Sequence, residues 1–178
     1  MALLGCVLNT PKSDTNSRLK AEQEVYSLLI TGDYVFEEYT NLGELDLSQE
    51  SIQHIKDELV SLDNDTLDDF QSQNKKQYLL KDYLPPNTDY VLLSNTEVQS
   101  FFTDWVIFSA NHPNTHTITS FSRVGLNSSF TQALVLVNTD VKILDSPFEY
   151  SGSGLIYLFS KIGDKWIEQN QLIVSITG

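Results

Sequence analysis

The sequence predicts an α+β protein in which N-terminal helices pack on a C-terminal antiparallel β-meander of about four strands. Three observations predict it. In the first two-thirds, apolar residues recur at spacings of three and four, the repeat of one helix face. From Thr117 onward the chain turns to runs rich in β-branched and aromatic residues, separated by Gly, Asn, Ser and Pro. At 178 residues and 40% apolar content it can bury one core without disulfide or metal.

The elements follow in chain order. In Ser17 to Ile30, Leu19, Val25, Tyr26, Leu29 and Ile30 fall largely on one helical face. Ser17 is suited to cap that helix, and Gly32 to end it in a left-handed C′ position. Tyr34 to Thr40 is rich in β-formers and reads as a strand. Ser48 opens a second helix with Ile52, Ile55 and Leu59 inward, and Glu50 in its first turn suits the dipole. A short helix from about Thr66 to Asn74 buries Leu67 and Phe70. Pro85 and Pro86 mark a loop, and Tyr90 to Leu93 is a short extended segment. Asn95 or Thr96 caps one helix whose stripe is Val98, Phe101, Phe102, Trp105 and Phe108, stopped at His112-Pro113. Four β-rich runs complete the chain. Leu134 to Val137 is apolar at every position, so its strand is central and covered on both faces. Ile162-Gly163-Asp164 is a tight hairpin signal.

The composition excludes several functions. With 24 acidic against 11 basic side chains, the net charge of −13 repels nucleic-acid backbones and anionic headgroups. No apolar run reaches the roughly 18 residues of a spanning helix. A single cysteine forms no internal disulfide. That cysteine closes Leu3-Leu4-Gly5-Cys6, a string like the tail of a bacterial lipobox, and a polar run through Ser17 follows it as a tether would. Residues 1–16 therefore read as a tether that packs on nothing, and 17–178 as one α+β domain. Membrane contact is expected only through a lipid on Cys6. The alternative is a cytoplasmic protein with an incidental thiol.

Chemical motifs are few. Asp63, Asp65, Asp68 and Asp69 invite a calcium reading, but Leu67 breaks the ligand spacing, Asp68 replaces the required Gly, and Asn74 stands where Glu is needed. The run reads instead as a helix start, with Asp65 or Thr66 as cap and Asp68 and Asp69 along the dipole. His112 and His116 are four apart, but Pro113 between them removes a shared helical face. No G-x-S-x-G elbow occurs, and Ser151-Gly152-Ser153-Gly154 leads into a strand, as a flexible hairpin or bulge. Arg123 stands among apolar and small residues in a chain poor in cations. A buried arginine needs a carboxylate partner, so it is either one half of a structural ion pair or an anion-binding group on the sheet.

"FSRVGLN", "TQALVLV" and "YSGSGLIYLFSKIGDKW" together resemble a group of small uncharacterised bacterial proteins with the pattern SRVGFN, QALVYV, a Gly-rich loop and a K-x-x-G-x-W hairpin. The resemblance covers about residues 17 to 176. Many members look like envelope lipoproteins, which agrees with the reading of Cys6. It implies no reaction and no cofactor. It gives Gly125 a turn and Trp166 a packing role after the hairpin. Leu126 and Leu136 stand where that group carries aromatics. The last hairpin is also similar to the cystatin-like or nuclear transport factor-like cone, where helices wrap a curved sheet and can leave a pocket.

The expectation is a non-enzymatic, envelope-associated binding or accessory protein, its partner a protein or small molecule, with no catalytic residues and no metal. One alternative is a small-molecule-binding or enzymatic domain with a pocket between sheet and helices, lined by Tyr39, Trp105, Phe121, Arg123 and Tyr157. Another is a structural subunit of a larger assembly.

Overall fold

A computed structural model of the chain describes residues 12–30, 34–40, 49–86, 89–144 and 149–177. Cys6, Gly32 and Ser48, to which the sequence assigns a lipid anchor and two helix boundaries, lie outside them. Helix α1 (Lys12–Leu29) begins inside the stretch read as tether. Strand β1 (Tyr34–Glu37), α2 (Gln49–Glu58) and α3 (Asn64–Gln73) follow. A 3₁₀ turn (Leu80–Asp82) leads to β2 (Tyr90–Leu93), α4 (Asn95–Thr103) and α5 (Trp105–Asn111). The remainder is β3 (Thr117–Phe121), β4 (Gly125–Leu126), β5 (Gln132–Lys142), β6 (Tyr150–Ile162) and β7 (Lys165–Thr177). No helix among the described residues is long and apolar enough to cross a membrane.

The helix expected over 95–111 is two helices. At Asp104 the backbone leaves helical geometry (φ −146°, ψ 74°), and the Asp104 carboxylate accepts the Ile107 N–H to cap α5. The break rephases the apolar stripe. Phe101 and Phe108 are buried, whereas Phe102 turns outward. The cap of α4 is Ser94, not Asn95 or Thr96. Its hydroxyl accepts from Glu97 N–H, and the Glu97 carboxylate accepts from Ser94 N–H at 2.8 Å, a reciprocal capping box.

The sheet is larger than the expected four strands. Among the described residues, seven strands form one mixed sheet in the order β2-β1-β3-β5-β6-β7, with β4 also on β5. β1 lies parallel to both β2 and β3, and the other pairs are antiparallel. The two N-terminal strands were foreseen as segments. Their membership in the sheet was not, because parallel pairing joins residues far apart in sequence and leaves no local turn signal. Ser151 to Gly154 lies inside β6, with a register shift between Gly154 and Leu155 rather than a hairpin.

β5 runs through the centre, as its apolar run predicts. Ala133 and Val135 join a core under α1 with Val25, Tyr26, Phe36, Phe121 and Leu80. Leu134 and Leu136 join a second core on the opposite face with Ile55, Leu59, Leu67 and Phe70 of α2, α3 and their ends. A third core, Leu93, Phe101, Phe108 and Ile118, seats α4 and α5. Gly163 has φ +61°, as a two-residue turn between β6 and β7 requires.

Gly125 does not make a turn. It lies in β4, where α3 presses on the sheet. A Cβ there would meet the Phe70 Cβ, and would stand 2.6 Å from its Cα and 2.7 Å from its backbone nitrogen. Helix backbone cannot rotate away as a side chain can. Gly125→Ala is expected to lower stability by about 1–3 kcal/mol through overpacking. The urea midpoint measures it, and an unchanged midpoint would show that α3 does not rest on β4.

Candidate functional site

Arg123 sits in a β-bulge. Phe121 pairs with Val137 and Gly125 with Leu134, so three residues on one side face two on the other. Ser122 holds the bulge together. Its N–H donates to Leu136 O (2.9 Å), its hydroxyl accepts from Leu136 N–H (2.8 Å), and the same hydroxyl donates to Arg123 O (3.0 Å). Asn74, the C-cap of α3, acts as a substitute neighbouring strand. Its amide accepts from Arg123 N–H at 2.8 Å and donates to Arg123 O at 3.0 Å. Tyr26 on α1 donates to Ser122 O at 2.7 Å. Burial, then the negative charge of Glu22, push the Tyr26 phenol far above its ordinary pKa, so it remains a donor.

The bulge aims the Arg123 side chain at α1. Arg123 is 4% exposed, and its guanidinium meets the Glu22 carboxylate through Nη2 at 2.7 and 2.9 Å. The ring centroids of Tyr83 and Tyr78 lie 3.6 and 4.5 Å from its central carbon. Glu22 is itself 1% exposed, and it also accepts from Arg18 Nε at 2.8 Å. Arg18 continues to Asp69 in a bidentate pair (3.1 and 2.9 Å) and donates to Val124 O. Burial works against the Arg18 charge, but the carboxylates of Asp69 and Glu22 outweigh it and raise its pKa. Two cations thus meet two carboxylates, and the network is neutral.

The acidic run around α3 belongs to this construction. The helix N-cap is Asp63, not Asp65 or Thr66, and no side chain caps it. Its carboxylate instead accepts from Asn127 Nδ2 (3.0 Å), while its N–H donates to the Gln132 amide (2.6 Å). Asp65 accepts from Ser128, and Asp69 accepts from Leu126 N–H at 2.8 Å. The carboxylates therefore dock α3 onto the β4–β5 hairpin. Among the described residues no group of three His, Cys, Asp or Glu side chains is placed to hold a metal ion.

A second tie joins α1 to the last hairpin. Glu24 accepts from Lys161 Nζ at 2.9 Å and from the Trp166 indole N–H at 3.0 Å. Burial works to raise the Glu24 pKa, but the bonds from Lys161 and Trp166 outweigh it and lower the value overall. Trp166 packs into the α1 core, in keeping with its expected packing role.

An opening of about 460 Å³ lies at the network itself, beside Arg18, Asp69, Leu126 and Asn127. A cleft of about 760 Å³ sits at the N-terminal ends of the three mutually parallel strands β1, β2 and β3. Val35, Tyr90 and Val91 give it apolar surface, and Thr117 and Thr119 give hydroxyls. The segment leading into β3, Asn114 to His116, walls one side, and Asp89 stands before β2. His116 packs against Trp105 with ring centroids 5.5 Å apart, and its carbonyl accepts from Lys142 N–H. His112, at the start of that wall, meets Glu97 Oε1 through Nε2 at 3.1 Å. Hydrogen bonds from Ser94 first, and then from His112, lower the Glu97 pKa.

The residues proposed from sequence do not gather round one opening. Phe121 is buried in the α1 core, and Tyr157 packs half-buried against it. Arg123 lies in the ion-pair network beside that core. Tyr39 makes an isolated bridge to Leu79 past the end of β1. Trp105 belongs to the third core, behind the cleft wall. Sequence reasoning missed Glu22 and the cleft. Glu22 had a readable signal, since it stands four residues before Tyr26 and three before Val25, on the buried stripe of α1.

The fold and site define an α+β protein with a mixed sheet, a neutral buried ion network and a cleft at the strand ends. Comparison with family models, with curated proteins and with solved structures finds no match for this chain.

Two outcomes follow from the geometry. Glu22→Gln is expected to cost about 3–5 kcal/mol, because it strands the buried Arg123 charge, and Arg123→Met less, because Glu22 keeps its bond from Arg18. The double variant should cost clearly less than the sum, and a urea double-mutant cycle with additive losses would show that the pair is not coupled. Because the Glu24 pKa is lowered by folding, its contribution is complete above the ordinary carboxylate range and is lost as pH falls through the folded value. The stability difference between the parent chain and Glu24→Gln should therefore be largest near neutrality and shrink from about pH 5 downward. A difference that grows on acidification would contradict the assignment.

Proposed function

We propose that the protein is a non-enzymatic binding or accessory module of the bacterial cell envelope, with the strand-end cleft as its binding place. One contrast carries this reading. The buried ionisable groups Arg123, Glu22 and Tyr26, together with the Arg18–Asp69 pair, are engaged in bonds that hold elements together. The cleft has the size and mixed lining of a small-ligand site and takes little part in those bonds. The envelope location rests on Leu3-Leu4-Gly5-Cys6 and the polar residues after it, which supply the site for a lipid.

Indole, a neutral aromatic probe, should shift the amide resonances of Val35, Tyr90, Val91 and Thr119, and Val91→Trp should abolish those shifts by filling the cleft. Shifts scattered over the surface, or none, would remove the cleft as the binding place. Fatty-acid labelling of the full-length product in an exporting bacterial host should mark the parent and not Cys6→Ser. Equal labelling of both, or of neither, would remove the anchor.

A further inference from the structure

We infer that the cleft selects a small organic ammonium, a primary amine carried on a short apolar or aromatic group. This inference rests on the cleft being the binding place, and it adds the charge of the ligand. Among the described lining residues, one side chain carries a formal charge at neutral pH, the carboxylate of Asp89, and no Lys or Arg is present. The remaining polar lining is threonine hydroxyls, the Asn114 amide and the His116 imidazole, of which the hydroxyls and the amide oxygen can accept N–H bonds. Val35 and Val91 provide apolar contact.

Lys142, the basic side chain near the wall, is already engaged. The Lys142 ammonium lies 4.2 Å from the Tyr150 ring centroid and 5.8 Å from that of Trp105, and Lys142 is not part of the lining. It supplies no anion-binding group inside the cleft. The chain as a whole carries −13, and a field of that sign raises the local concentration of cations and lowers that of anions. An anionic ligand would meet Asp89 and this field with no cation in the lining to answer it. A neutral ligand would gain the apolar contacts alone.

Phenethylammonium, phenethyl alcohol and hydrocinnamate present a similar ring and chain and differ in charge. Each is titrated into the full chain while the amide resonances of Tyr90, Val91, Thr117 and Thr119 are followed. Trp105 emission gives a second readout through its contact with His116. The ammonium should bind about fivefold tighter than the alcohol, and the carboxylate weakest of the three. Asp89→Asn should bring ammonium and alcohol to equal affinity, and added salt should narrow the gap in the parent. Asp89 is exposed, and an unchanged unfolding midpoint for the variant shows that its fold is kept. Equal affinities for the three probes, tightest binding of the carboxylate, or a preference that survives Asp89→Asn overturns the charge assignment and leaves the cleft as the binding place. No shift at the cleft with any probe overturns both.

Discussion

A guanidinium inside a protein must meet a carboxylate, and much of this architecture is arranged around that requirement at Arg123. Removing an ion from water costs several kcal/mol even after relaxation. The cost is offset here by a carboxylate from another element, two tyrosine rings and a clamp on the backbone of the arginine itself. Glu22 draws α1 onto the sheet. Arg18, one turn earlier, extends the same charge balance to Asp69 and so to α3. Asn74 at the far end of α3 then fixes the bulge in which Arg123 stands. The circuit closes on itself: bulge, α1, α3 and back to the bulge. Gly125 permits it, because a side chain there would hold α3 away from the sheet.

The motif Ser122-Arg123-Val124-Gly125-Leu126-Asn127 can be understood residue by residue in these terms. Ser122 bridges the bulge, Arg123 balances α1, and Val124 and Leu126 enter the core. Gly125 admits α3, and the Asn127 side chain accepts from Thr131 and Gln132 N–H groups to close the following loop. That closure leaves Phe130 at φ +54°, a left-handed conformation that costs a bulky residue on the order of 1–2 kcal/mol. Such density of bonding makes this half of the molecule a frame. The strand-end cleft is bounded more lightly, by a short connector pinned at His112 and at Lys142.

What the sequence disclosed follows the range of the interactions. Helix periodicity, the turn at Gly163 and the two-sided burial of β5 are written in residues a few positions apart, and they were legible. The break at Asp104 was not, because an unbroken apolar stripe ran across it. Its capping side chain was visible only as one more acidic residue. The parallel placement of β1 and β2 was hidden for another reason: nothing local tells a short strand which neighbour it will find. The candidate site divides in the same way. The need of Arg123 for an acid was legible, and the identity of that acid required the fold. The cleft arises where three strand ends meet, and no segment of the sequence contains it.

The span of the principal contacts bears on how the molecule is built in time. Glu22 and Arg123 are 101 residues apart, and Glu24 is 137 residues from Lys161 and 142 from Trp166. During synthesis α1 emerges long before any of these partners exists. The apolar faces of α1, α2 and α3 are then exposed, their sheet still unmade. Contacts of such sequence separation form slowly, since the chain must close large loops before they give any stabilisation. The order of emergence therefore places the decisive event late, when β5, β6 and β7 assemble and present the surface on which the waiting helices dock. The net charge of −13 opposes close approach of one such partly folded chain to another.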